Sequence, residues 1–170
     1  MRIGVDIMGG DFYPQAPIEG AILAQNELGD EVQVVLIGDE KIIHAELEKN
    51  DVPKTAFEIV HTAEAVEMGE SPTKAISQKP RATINVGVGM VKAKQLNGFV
   101  SAGNTGAMLV ASIMGMGRVG GVSRPTIGVL IPSGEDRLSL LCDVGANLDS
   151  KPEALYHFGI LGSVFMENVL

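Results

Sequence analysis

The chain is short of cysteine, aromatic residues and positive charge. Cys142 is the single cysteine among 170 residues, so a disulfide framework of the secreted kind is excluded. Thirteen Lys and Arg stand against twenty-one Asp and Glu, a net charge of −8. That balance argues against a nucleic-acid binder, which needs a concentrated basic face. No apolar run reaches the roughly 18 residues of a spanning helix. The N-terminal MRIGVDIMGGD has one Arg, and Asp6 interrupts its short apolar stretch. It lacks the apolar region of a signal peptide and reads as a buried strand. A reducing cytoplasm is the expected compartment.

What is present is ordinary globular material, 45% apolar and 20% charged,. A chain of this length can bury roughly 70% of its unfolded surface in one core. There is no internal repeat and no low-complexity linker. Twenty-one glycines against seven aromatics, none of them Trp, predict many tight turns and close backbone approaches,.

Strand-like and helix-like segments alternate. Residues 2–8, 32–38 and 56–61 read as buried strands. Residues 15–28 read as a helix, and Asp39 can cap another over 40–50. Ser71 followed by Pro72 is a helix start. Residues 83–96 form a weaker helical pattern, because Gly87 and Gly89 interrupt it. GFVSAG (98–103) is a short strand, and residues 104–116 an apolar helix. Residues 127–132 and 138–144 read as two strands of a hairpin. Ser150-Lys151-Pro152-Glu153 has the capping-box form and opens a last helix to about Val169. The expected fold is a three-layer α/β arrangement, a mostly parallel sheet with helices on both faces, plus an antiparallel hairpin near 127–144. Residues 1–170 then form one α/β domain or the N-terminal portion of a larger one. No stop signal follows the apolar last helix, so the chain reads as cut rather than finished.

Ligands of open parallel sheets bind beyond the carboxyl ends of the strands. Three polar, glycine-rich segments fall at predicted strand ends. They are Asp6–Asp11, Ser101–Gly106 and Asp143–Asn147, expected along one sheet edge. In the second, glycines let backbone N–H groups approach a ligand, and a helix start favours an anion. Ser101, Asn104 and Thr105 add side-chain donors. The same S-A-G-N-T-G reads equally well as a tight strand-to-helix turn with a polar cap. Asp6 is a buried carboxylate that must be paired or hydrogen-bonded. It caps loop N–H groups, pairs with an Arg or shapes phosphate loops, while Asp11 and Asp143 are left open. Arg81 and Arg124 can bind phosphate bidentately, although most arginines are simply solvated.

Other constellations are weak. Gly115-Met-Gly117-Arg-Val-Gly120 matches G-x-G-x-x-G, yet it follows a predicted helix and opens a loop, so it reads as a glycine-built helix end. His44, His61 and His157 have no metal-ligand spacing. Cys142 lies in an apolar strand and reads as a packed thiol. The chain offers anion-binding loops and no obvious covalent catalyst, which suits chemistry in which bound phosphate itself attacks.

D-x-M-G-G-D at the N-terminus, S-A-G-N-T-G-A after an internal strand, R-P at 124–125, L-x-D-V-G-A-N at 141–147 and K-P-E at 151–153 occur in this order. Together they resemble the bacterial phosphate acyltransferases of phospholipid synthesis, along the whole chain. The resemblance implies transfer of a long-chain acyl group from acyl carrier protein to inorganic phosphate, giving acyl phosphate. It also implies a fold like that of phosphate acetyltransferases and isocitrate-type dehydrogenases, a homodimer, and no metal or cofactor. Family members continue for about as much chain again, and peripheral membrane contact would come from that part. The candidate site is then Asn104, Asp143 and Asn147 as catalytic groups. Asp6, Gly9, Gly10, Asp11, Ser101, Gly103, Thr105, Gly106 and Arg124 would hold phosphate. Carrier protein is acidic, so docking needs a local basic patch, for which Lys92, Lys94, Arg118 and Arg124 are candidates. A phosphotransacetylase-like enzyme using acyl-coenzyme A and an inactive folded fragment are the competing expectations.

Overall fold

The computed structural model describes residues 1–134, 137–145 and 149–169. The chain divides into two compact units, Met1–Met116 and Gly117–Leu170.

In the first unit β1 (Arg2–Asp6), β2 (Gln33–Gly38), β3 (Glu58–His61) and β4 (Gly98–Val100) form one parallel sheet of order β3-β2-β1-β4. Parallel strands need crossovers. These are α1 (Gln15–Leu28), α2 (Glu40–Lys49), the pair α3 (Pro72–Gln78) and α4 (Thr83–Lys92), and finally α5 (Thr105–Gly115), which leaves β4.

Strand β2 shows why the sheet is covered on both faces. Its side chains alternate. Val34 and Leu36 pack with Ile18 and Ala21 of α1 and with Ile43 and Leu47 of α2. Val35 and Ile37 pack on the other face with Leu96 and with Val86, Met90 and Val91. Each such aliphatic side chain contributes about 1.5–3 kcal/mol on full burial, as an upper bound. A third cluster, with Ala75, Ile76, Ile84, Val88, Ala107 and Ala111, joins α3, α4 and α5. The Asp39 carboxylate accepts from Lys41 N at 2.9 Å and caps α2 as its sequence position predicts,.

Gly87 sits in the middle of α4 for a packing reason. A Cβ there would lie 2.3 Å from the Phe99 ring, so its absence lets α4 cross close over β4. Propensity alone weakens this helix, and tertiary packing overrides it.

The second unit holds β5 (Gly128–Pro132) and β6 (Leu138–Cys142), paired antiparallel, and α6 (Pro152–Val169). The hairpin lies where the sequence places it, but it makes its own two-stranded sheet. Ala154 and Phe158 are the buried residues of α6. Cys142 is half-buried, its Sγ 3.7 Å from the Phe158 carbonyl oxygen. It lines an apolar cavity of about 650 Å³ with Leu130, Leu140, Leu161 and Phe165. Leu138, Leu141, Leu155, Ile160, Val164 and Val169 are exposed. No helix among the described residues is long and apolar enough to cross a membrane.

Candidate functional site

The strand order fixes where a ligand can enter. From β1 the chain steps outward to β2 and β3, then returns to β4 on the other side of β1. The carboxyl ends of β1 and β4 are therefore the point where the winding reverses, the place such sheets use for ligands. The first two glycine-rich segments meet there.

Asp6 ends β1 and is 1% exposed. Its Oδ1 accepts from Met8 N at 3.0 Å, and its Oδ2 accepts from Ser101 Oγ at 2.8 Å. Thr83 at the head of α4 and the Gly9 N–H also hydrogen-bond it. Burial pushes this carboxyl above its ordinary value, and the hydrogen bonds from Ser101, Met8, Thr83 and Gly9 pull against that shift,. Ser101 Oγ in turn accepts from Gly103 N at 3.2 Å. Asp6 thus shapes both loops from beneath rather than facing solvent.

The two loops touch at glycines. A Cβ on Gly9 would lie 2.7 Å from both Asp6 Oδ2 and the Gly103 carbonyl oxygen. Gly10 has φ +89°, and a Cβ there would lie 2.8 Å from that of Ala102. Gly103 has φ +128°, in the region that favours glycine,. Gly106 packs against the ring of Pro72, where a Cβ would come within 2.6 Å. Asp11 and Thr105 are exposed at this end of the unit.

Asn104 is the N-cap of α5 and is 7% exposed. Its Oδ1 accepts from Ala107 N at 3.1 Å. Its Nδ2 donates toward the carbonyl oxygens of Glu67, Met68 and Glu70 at 3.4, 3.1 and 3.3 Å. The amide expected at a reacting carbonyl is committed to backbone groups at both ends.

Within the first unit the Glu67–Ser71 segment also meets these loops, through the Asn104 amide. Asp143 follows β6 of the separate hairpin sheet, because that hairpin does not extend the parallel sheet. Asp143 has φ +66° and accepts from Ser150 Oγ at 2.9 Å. That bond draws Ser150 away from the capping-box role its sequence position suggests, and α6 begins at Pro152. Arg124 Nη1 lies 3.4 Å from the Asp149 carbonyl oxygen. Both residues belong to the second unit, and Asn147 falls outside the described residues.

In the sequence Ser71-Pro72 reads only as a helix start, and neither Met68 nor Thr83 by itself carries a signal of its place here. The signal available was M-G-E-S-P, a turn preceding a helix,. The G-x-G-x-x-G string begins at the last residue of α5 and enters a loop, as expected of a helix end. No group of three or more His, Cys, Asp or Glu that could hold a metal ion occurs among the described residues. His61 Nδ1 accepts from Glu40 N at 3.1 Å and supports the start of α2.

The first unit is thus a doubly wound α/β domain whose glycine-rich loops meet at its switch point. The chain belongs to the fatty acid synthesis protein family, whose family model matches residues 1–170. It is 42% identical over 170 residues to a phosphate acyltransferase of Cyanothece sp., an alignment covering 99% of this chain and 48% of that protein. With the phosphate acyltransferase of Fusobacterium nucleatum it shares 42% identity over 167 residues, covering 98% of this chain and 50% of the relative. With that of Brevibacillus brevis it shares 39% over 170 residues, covering 100% and 50%. The chain spans about half the length of these relatives. A solved phosphotransacetylase from Streptococcus pyogenes superposes with TM-score 0.70 at 19% identity, over 94% of this chain and 51% of that one. EutD phosphotransacetylase from Staphylococcus aureus does so with TM-score 0.59 at 20% identity, over 91% and 49%. At these identities the likeness is one of fold.

Proposed function

We propose that the chain carries the phosphate-binding half of an enzyme that transfers a long-chain acyl group from acyl carrier protein to inorganic phosphate. The observation that carries this reading is the joining of the β1 and β4 loops by the Asp6–Ser101 bond. That bond holds glycine backbone and the start of α5 around one point. The first N–H groups of a helix have no acceptor within it. Asn104 takes that of Ala107, and those of Thr105 and Gly106 are left for an anion, with the helix dipole behind them. The Thr105 hydroxyl adds a donor.

In the reaction a phosphate oxygen attacks the thioester carbonyl carbon. The C–O bond forms and moves the carbonyl electrons onto oxygen; the C–S bond then breaks, and the leaving thiolate takes up, through water, the proton that the attacking hydrogen phosphate gives up. The donors at the start of α5 hold the nucleophile against the carbonyl, and such positioning supplies much of the rate. A preorganised N–H aimed at the developing oxyanion is worth about 3–4 kcal/mol. An acidic carrier must find local positive charge on a chain of net charge −8,, and Arg118 and Arg124 are the proposed contacts.

The test is phosphate-dependent formation of acyl phosphate, trapped as the hydroxamate, with long-chain acyl carrier protein and acyl-coenzyme A as alternative donors. The chain is assayed alone and fused to the remaining half of the Brevibacillus brevis relative. Product from the carrier-bound donor in either form supports the reading. Product only from the coenzyme A thioester replaces it with the phosphotransacetylase-like alternative. No product from either form, with both folded, removes acyl transfer.

A further inference from the structure

The Asn104 side chain does more than cap a helix, and the surplus is informative. Which way the amide points is set by its surroundings. Oδ1 meets the Ala107 N–H, and Nδ2 meets three carbonyl oxygens. The flipped amide would oppose like to like at both ends. Capping needs only an oxygen, which Ser or Asp supplies equally well. The NH₂ group is what this position gains from Asn.

The segment it grips is anchored on either side. Val66 is 4% exposed in the cluster shared by α3, α4 and α5. Lys79 Nζ donates to Ala65 O at 2.9 Å and to Glu70 Oε2 at 2.7 Å, and Glu70 Oε2 also accepts from Glu67 N at 2.9 Å. Pro72 packs its ring on Gly106 of α5. Between these anchors Met68 and Gly69 form an exposed crest. The Met68 sulfur lies 3.0 Å from where a Cβ of Gly103 would be. The crest therefore rests on the very turn whose backbone leads into α5.

We infer that Asn104 is a positioning residue that clamps the Glu67–Ser71 strap onto the start of α5, so that anion binding at Thr105 and Gly106 and the placement of Met68 are coupled through one amide. This rests on the phosphate-cradle reading above. The coupling assigns Asn104 a role at the site without contact to the reacting atoms.

The experiment compares the unaltered chain with Asn104→Ser and Asn104→Asp. Both variants keep a capping oxygen and lose the NH₂ donor, and Asp sets a carboxylate against the three carbonyls. Residue-resolved amide hydrogen exchange is read at Met68, Gly69 and Glu70, with and without inorganic phosphate, beside calorimetric phosphate titration. Exchange in β1 and β2 reports whether each variant is folded. In the unaltered chain phosphate is expected to slow exchange of the strap. In Asn104→Ser strap exchange should rise about tenfold, the loss of one or two net hydrogen bonds, with β1 and β2 unchanged. Phosphate affinity should fall and its protection of the strap should disappear, more so in Asn104→Asp. Saturable phosphate binding with strap exchange identical in all three chains overturns the clamp and leaves the cradle standing. Absence of phosphate binding to the unaltered chain overturns both.

Discussion

Ser101 donates to the buried carboxylate of Asp6 at 2.8 Å across 95 positions of sequence, joining the ends of β4 and β1. Ser101→Ala leaves Asp6 without that partner inside the unit. Loss of a hydrogen bond to a buried charged acceptor costs about 1–3 kcal/mol. Urea denaturation should show that loss with an unchanged slope, since the surface exposed on unfolding stays the same. A loss below about 0.5 kcal/mol, the range of ordinary surface substitutions, would contradict the assigned bond.

The same carboxyl gives a pH signature. Burial raises Asp6 above its ordinary value of 3.8. Between the unfolded and native values the native state holds a proton that the unfolded chain releases. The contribution of Asp6 to stability is therefore fully present below the unfolded value and is lost as pH rises through the native one. Asp6→Asn abolishes this dependence. Subtracting the stability of Asp6→Asn from that of the unaltered chain across a pH series isolates the residue. The difference should fall with rising pH from about 4 upward, and a flat or rising difference would contradict the raised value.

Gly9→Ala tests how closely the two loops approach. Its Cβ would stand 2.7 Å from Asp6 Oδ2 and from the Gly103 carbonyl oxygen. One of the loops must move, at about 1–3 kcal/mol, and phosphate affinity should fall with it. Gly20→Ala is the contrasting substitution. It lies within α1 with nothing within 4 Å of its Cβ. It should stabilise the chain by about 0.5–1 kcal/mol and leave anion binding unchanged. Thermal unfolding and phosphate titration of the two variants separate the effects.

Gly87 and Phe99 form a coupled pair. Gly87→Ala drives a methyl group into the Phe99 ring, 2.3 Å away. The single substitution should destabilise strongly, and the same change in a Phe99→Leu background should cost less. A double-mutant cycle by denaturation measures the coupling, expected at about 0.5–3 kcal/mol. Additive effects would mean the ring does not occupy that space.

Most of the first unit is legible in sequence because its strands are short β-branched runs and its helices start on recognisable residues. The helix 15–28 matches α1 residue for residue, and Asp39 and Ser71-Pro72 open the helices they predict. The loops after β1 and β4 are found by glycine and polar composition at strand ends. What escapes is what depends on tertiary pairing. The hairpin is visible as two strands, yet nothing local says that it forms its own sheet. Nothing in E-M-G-E-S-P announces that three of its carbonyls will receive the amide of Asn104, because that contact is set by the packing of α3 against α5. Gly87 reads as a helix weakness until Phe99 is seen lying on it.

The central claim is that inorganic phosphate is held where the β1 and β4 loops meet the start of α5. An amide-resolved NMR titration of the chain with inorganic phosphate tests it most directly. Saturable shifts are expected, concentrated at the backbone N–H groups of Thr105 and Gly106, extending to Gly9, Gly10 and Gly103, and reaching saturation only at higher phosphate in Gly9→Ala. Saturable shifts that leave those amides untouched, or an unchanged phosphate affinity in Gly9→Ala, would contradict it.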